Sequence, residues 1–252
     1  MTPTREWLAQ YEKVREKTAS PVDFNTYFQL PEIAGKQITV LDIGPCSLPS
    51  GKILVRDPLC YLDDREEPPY FAAAPAGTYH TEICVVKPDE DGDCARYAAA
   101  RLCFTEKTAV RFYEALIGHE NLEELGDDSY FGFPVDAGLG CICDQVLHEA
   151  FCDFSEQWQR EHPGGNLYDD YFAALFEENY QAHPAFQRRG GDWLNWRIPG
   201  TQYRLPIFQS GFGDGVYPAY WGFDNEGAVC QLVVQFIDLE AAYEETDEES
   251  ED

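Results

Sequence analysis

Positive charge is scarce in this sequence: 18 Lys and Arg stand against 46 Asp and Glu, for a formal net charge of −28. Affinity for nucleic acid comes from Lys and Arg displacing counterions from phosphates, so no nucleic-acid partner is expected, and an anionic membrane surface is repelled for the same reason. No run of about 18 apolar residues occurs, which excludes a membrane-spanning helix. The opening stretch MTPTREWLAQYEKVREK is charged and amphipathic and has no apolar h-region, so it does not read as a secretory signal. The nine cysteines (46, 60, 84, 94, 103, 141, 143, 152, 230) form no CxxC pair, and their number is odd. Cys84, Cys103 and Cys230 sit in apolar runs, where a free thiol acts as a small hydrophobe, and a reducing cytoplasm is the expected setting. No zinc signature appears among the five histidines, no Gly-Lys-Ser/Thr follows a glycine loop, and no Gly-x-Ser-x-Gly elbow is present. Neither a metal nor a cofactor is expected.

What is present is enough apolar residue, 44% of 252 positions, to bury a sizeable core. The acid is unevenly spread. Residues 120–187 carry fifteen acids and one base, Arg160, and residues 240–252 carry eight acids and no base. These two segments hold 22 of the 28 net negative charges. Such a surface attracts basic partners at rates that fall with salt, although plain solubility explains it equally well.

Periodicity predicts a helix over Trp7–Lys17, ended by Pro21, and strands at Lys36–Val40 and Lys52–Val55 separated by the Gly/Pro/Ser stretch 44–51. Strands are also expected at Gly77–Val86 and Ala95–Phe104, the second half-buried, around a hairpin turn at 88–93. Val110–Ile117 reads as a short strand or helix. Cys141–Glu161 and Tyr168–Tyr180 show helical spacing of apolar residues with acids opposite. The chain returns to strands at Trp193–Ile198, Tyr203–Gln209, Val216–Phe223 and Ala228–Asp238. The expectation is an α+β fold: a mainly antiparallel β body with an N-terminal helix, two central acidic helices and a disordered acidic C-terminal tail. Residues 1–35 form the helix and lead-in, 36–239 a single domain, and 240–252 the tail.

Two segments depart from ordinary composition. In Ser210–Asp224, Gly211, Gly213 and Gly215 flank Asp214 and run into the aromatics Tyr217 and Tyr220. Glycines there let backbone approach backbone or ligand and open N–H groups toward an anion; the plainer reading is a tight turn capped by Asp214. In Phe133–Asp144, Asp136 precedes the turn at Gly138 and Gly140, and Asp144 is placed just inside the following helix, where the dipole stabilises an acid. A sharper reading gathers Asp136, Asp144 and Asp214 into one carboxylate cluster able to hold a divalent cation. Cys141 and Cys143, near a helix start, would have lowered thiol pKa values, with His80 or His148 as partners; His148 is more simply a surface residue and His80 a structural one.

These segments resemble a bacterial family catalogued as domain of unknown function 4241. The resemblance is carried by Gly51-Lys52-Ile53-Leu54-Val55-Arg56-Asp57-Pro58, Gly77-Thr78-Tyr79, Val135-Asp136-Ala137-Gly138-Leu139-Gly140-Cys141 and the Ser210–Asp224 run, over roughly residues 40–238. Ala76 and His80 stand where the family pattern has prolines, and Phe212 where it has Trp. The resemblance implies a compact α+β domain and supplies no activity.

The leading functional expectation is a protein-binding module of immunity or inhibitor type. It would mask a basic partner such as a toxin through Glu149, Asp153, Glu156, Glu177 and Glu178. The alternative is a small-molecule enzyme, a carboxylate- or metal-dependent hydrolase using Asp136 and Asp214. Nothing in the sequence marks an oligomeric state.

Overall fold

The computed structural model of the protein describes residues 2–87, 95–126 and 129–244. The turn expected at 88–93 and the acids of 245–252 lie outside the described residues. In chain order the first elements are α1 (Arg5–Val14), α2 (Phe24–Tyr27), β1 (Glu32–Ile33), β2 (Lys36–Leu48) and β3 (Ile53–Arg56). Next come β4 (Gly77–Lys87), β5 (Arg96–Cys103), β6 (Arg111–Glu114), β7 (Phe133–Val135), β8 (Leu139–Asp144), α3 (Gln145–Glu161) and α4 (Ala173–Ala182). The last are β9 (Trp193–Arg197), β10 (Arg204–Gln209), β11 (Gly215–Tyr217), β12 (Ala219–Phe223), β13 (Val229–Gln235) and α5 (Leu239–Tyr243).

The strands form a seven-stranded sheet of order β1-β2-β4-β5-β13-β12-β6, a four-stranded sheet β3-β8-β10-β9, and the pair β11-β7. Every pairing is antiparallel. The fold is therefore α+β, as expected. The four-stranded sheet is the middle layer. Its alternate residues Ile53, Val55, Ile142, Phe208 and Trp193 join the main core against the larger sheet. The residues between them, Leu54, Cys141, Cys143, Ile207, Leu194 and Trp196, join a second core with Phe151, Phe172 and Phe176 of the helical layer. The period of two in a strand sends neighbours to opposite faces, so these short strands are buried on both sides.

That double burial accounts for one correction. Cys141–Asp144 is not the start of a helix but the end of β8, and α3 begins at Gln145. Residues apolar on both faces show no alternation, and the continuous apolar run merged with the helical pattern that follows it. A second correction concerns 44–48, expected as a break. β2 runs through it to Leu48, with a bulge between Asp42 and Pro45 where the register against β4 shifts. Pro45 lacks an N–H, and a bulge is where a strand tolerates that. Asn195 Nδ2 then donates to the Ile43 and Pro45 carbonyls. The expected strand 216–223 is likewise two strands, parted at Pro218.

Residues 110–117 resolve as strand β6. β5 is buried on both faces over Tyr97–Ala100 rather than half-buried. The segment around α2 contributes to that cover: Phe28 lies 4.0 Å from the Arg101 guanidinium, and Tyr27 Oη accepts the Leu239 N–H. The second half of the lead-in contributes Phe24, Tyr27 and Ile33 to the main core, while Trp7 and Tyr11 of α1 pack in a small cluster with Leu116 and Leu122. Residues 239–243, mostly assigned to the tail, form the short helix α5, capped by Asp238. The tail's first residues order because Leu239 is fully buried. Tyr168–Phe172, expected within one helix with α4, is a π-helical turn leading into it.

Candidate functional site

The two glycine-rich segments singled out in the sequence do meet. β11 pairs with β7, setting Gly215 opposite Val135 and Tyr217 opposite Phe133. Beyond the strands, Ser210 N donates to the Gly138 carbonyl and Gly138 N donates to Asp214 Oδ1, both at 3.0 Å. Asp214 therefore pins the neighbouring segment's turn rather than capping its own. Ser210 Oγ closes the loop on the Gly213 carbonyl. Gly211, at φ +63°, packs so closely that an added Cβ would stand 2.9 Å from Ile237 and 3.0 Å from Phe236. Gly140 lies under the same Phe236 ring. These glycines serve backbone-to-core approach.

Asp136 receives the Tyr61 hydroxyl, and its own N–H donates to Asp57. Asp57, fully buried, also accepts the Ala137 and Leu59 N–H groups. Asp57, Asp136 and Asp214 surround Cys60. Cys60 is exposed, yet partial desolvation first, and these charges next, push its thiol up to about 11, so it stays protonated at neutral pH. The same hydrogen bond to Asp136 raises the Tyr61 phenol to about 12.

Asp144 is not part of this group. It is the N-cap of α3, accepting Val146 N, and its carboxylate also takes the Ser50 N–H, the Gly51 N–H and the Ser50 hydroxyl. A carboxylate so loaded locks the 50–51 turn to the helix start. Among the described residues no group of three or more His, Cys, Asp and Glu could hold a metal ion, so the cluster read from Asp136, Asp144 and Asp214 is not a cation site.

The thiol and histidine expectations change as well. Cys141 and Cys143 are enclosed in β8, and burial drives both thiols far above the usual range instead of lowering them. Cys103, expected inside, is exposed. His148 is buried, not superficial, with Nε2 3.0 Å from the Asp64 carbonyl; burial lowers its pKa. His80 is exposed and pairs with Asp42 at 2.7 Å beside the β2 bulge. On the helices, Glu149, Asp153, Glu156 and Glu178 are exposed and Glu177 is half-buried. Asp153 and Glu156 are both held by Arg65, at 2.6 and 2.7 Å. Arg65 is a base from outside the acidic segment that partly neutralises its face.

The best-formed site centres on a residue with little signal in the sequence. Glu114 ends β6 directly opposite Tyr220 of β12, so the two side chains share a face. It is 3% exposed. Its Oε1 accepts the Phe131 and Gly132 N–H groups, both at 2.8 Å, while Oε2 has no hydrogen-bond partner among the described residues. Gly132 presents its N–H from a φ of +61°, where a Cβ would come within 2.7 Å of Val216. Burial dominates over these two donors and raises the Glu114 carboxyl to about 7. Glu114 lines a cavity of about 610 Å³ together with Tyr130, Tyr217, Tyr220, Phe236 and Asp238. Tyr217 and Tyr220 come from the glycine–aromatic run that stands out in the sequence; Glu114 does not. Its one signal in the sequence is a lone acid within Phe112-Tyr113-Glu114-Ala115-Leu116-Ile117.

No helix of the described residues is long and apolar enough to cross a membrane. Neither the curated proteins nor the solved structures gave a match. A family model described as "Protein of unknown function (DUF4241)" matches residues 46–234, a span holding both glycine-rich segments, β6 and β12. The chain belongs to that family.

Proposed function

We propose that the protein is a small-molecule-binding domain whose ligand occupies the Glu114 cavity. The observation that carries this reading is the half-satisfied carboxyl. One oxygen is fixed by two backbone donors and the other is buried without a partner at the wall of an aromatic-lined cavity. Leaving a buried acceptor unpaired costs about 1–3 kcal/mol, a cost that a bound donor offsets. A cavity that combines aromatic walls, convergent polar groups and a perturbed carboxyl is the arrangement ligand sites share. Two-dimensional NMR of the protein with a set of aromatic fragments tests it. Shifts should cluster at Glu114, Tyr130, Tyr217 and Tyr220; saturating fragments that shift none of these residues refute the reading.

A second reading is favoured by the exposed acids of α3 and α4: a protein-binding module of immunity or inhibitor type that masks a basic partner. Glu149 and Glu178 carry no ion pair among the described residues, which leaves them available to such a surface. Capture of a basic protein should weaken steeply between low and high salt and slow on reversing Glu149 and Glu178 to Lys. Capture unaffected by either change removes this reading.

A further inference from the structure

We propose that the Glu114 cavity is built for a ligand bearing an ammonium group on an aromatic or otherwise apolar body, such as an aralkylamine. This rests on the small-molecule reading above and adds the chemical class. Among the described residues, two carboxyl groups, Glu114 and Asp238, line the cavity against one cation, Lys17. The free Glu114 oxygen is an acceptor with no donor of its own, and an ammonium brings three. An anionic ligand would meet two carboxylates, and an uncharged one would leave an ionised buried carboxylate uncompensated. The walls point the same way. Tyr130, Tyr217, Tyr220 and Phe236 offer ring faces, and a desolvated cation over aromatic rings gains further from their quadrupoles.

Proton linkage follows from the same geometry. The titratable groups around Glu114 are Tyr220 and Tyr130 beside it, Tyr70 and Glu120 behind it, and Lys17 and Asp238 across the cavity. Burial pushes Tyr70 and Tyr220 up, so both stay neutral through the physiological range. Glu114, raised to about 7, is the group whose charge changes near neutrality. An ammonium stabilises its ionised form, so binding near pH 7 releases a proton from it.

Calorimetry of the full chain with tyramine, 4-ethylphenol and 3-phenylpropionate, at pH 5.5 and 8.0, tests the class. At pH 8.0 tyramine should bind at least about tenfold more tightly than 4-ethylphenol, a difference of about 1.4 kcal/mol. The preference should shrink at pH 5.5, where Glu114 is protonated. Titrations at pH 7 in buffers of different ionisation enthalpy should show net proton release. In Glu114→Gln the tyramine preference should vanish; because the three ligands are compared on the wild-type chain first, the test survives a variant that fails to fold. If 4-ethylphenol or 3-phenylpropionate binds as well as tyramine at pH 8.0, the ammonium class is overturned while the small-molecule reading stands. If none of the three binds at 10 mM, both fall.

Discussion

Asp144 and Glu114 are both buried acids, and the protein treats them in opposite ways. Asp144, fully inaccessible, ends β8 in the middle sheet and accepts donors on both oxygens: two N–H groups and a hydroxyl from Ser50–Gly51, and the first free N–H of α3. Glu114, 3% exposed, ends an edge strand of the large sheet and has donors on one oxygen only. Asp144 resolves a structural need, since a sheet end, a turn and a helix N-terminus all bring unpaired N–H groups to one point. Glu114 meets half of a need and leaves the remainder facing a cavity. A saturated buried acid is scaffold; a half-saturated one is poised. Asp57, filled by three backbone donors, belongs with Asp144.

The contrast breaks most sharply at Asp144. Asp144→Ala removes a helix cap, orphans the buried Gly51 N–H and strips the partly buried Ser50 and Val146 N–H groups of their acceptor, which should cost about 3 kcal/mol. Asp144→Asn keeps an acceptor but turns an amide NH2 toward donors, and should cost about half as much. Urea unfolding at pH 7 measures both. Losses below about 1 kcal/mol would mean that this carboxylate does not join the sheet end, the turn and the helix start.

At Glu114 the effect is comparable in size and opposite in sign. Its carboxyl sits at about 7 in the folded protein against 4.5 for the free side chain. A raised carboxyl favours the folded state fully below pH 4.5, and that contribution is lost as pH rises to 7 and above. The gap corresponds to roughly 3 kcal/mol. Glu114→Gln cannot ionise, so its stability relative to the wild type should rise by about that amount between pH 4.5 and pH 8. Urea unfolding of both proteins across this range gives the difference, in which the other acids cancel. Parallel curves would remove Glu114 from the poised class.

Gly132→Ala sharpens the comparison further. A methyl group at φ +61° and 2.7 Å from Val216 forces the 131–132 backbone away from Glu114, at about 2 kcal/mol in stability. Because the Gly132 and Phe131 donors hold the Glu114 carboxyl down, their displacement should raise it above 7. Carboxyl chemical shifts followed through a pH titration report this directly.

Much of this architecture was legible in the amino-acid order. The strands at 77–87, 96–103, 204–209 and 229–235 and the helix body after 145 carry local signals of alternation, turn residues and helical spacing. β8 did not, because Cys141 and Cys143 face one core and Ile142 the other, which erases the alternation that marks a strand. The glycine-rich segments stood out by composition, yet their pairing spans more than 70 residues and is settled by tertiary packing. Glu114 was hidden for another reason. A single acid in an apolar run looks the same whether it reaches solvent or a cavity, and only the placement of Phe131, Gly132 and Tyr220 around it decides. The acidic block was visible in the sequence, but the Arg65 contact that tempers it comes from a distant loop.

The smallest expected effect lies at Asp214, which like Asp136 is an exposed member of the Cys60 group. Asp214→Asn retains an oxygen able to accept the Gly138 N–H, so the contact between the two glycine turns survives and stability should change by less than about 1 kcal/mol. The charge is lost, however, and Asp214 is one of three carboxylates that hold the Cys60 thiol up at about 11. Since burial is the largest cause and Asp57 and Asp136 remain, the thiol should fall only slightly, and alkylation by iodoacetamide at pH 8 should rise less than about threefold. A large destabilisation would place Asp214 with Asp144 among the structural acids. A large gain in thiol reactivity would instead mean that Asp214, not burial, governs Cys60, and that this turn, like the Glu114 cavity, holds a group near the edge of its charge state.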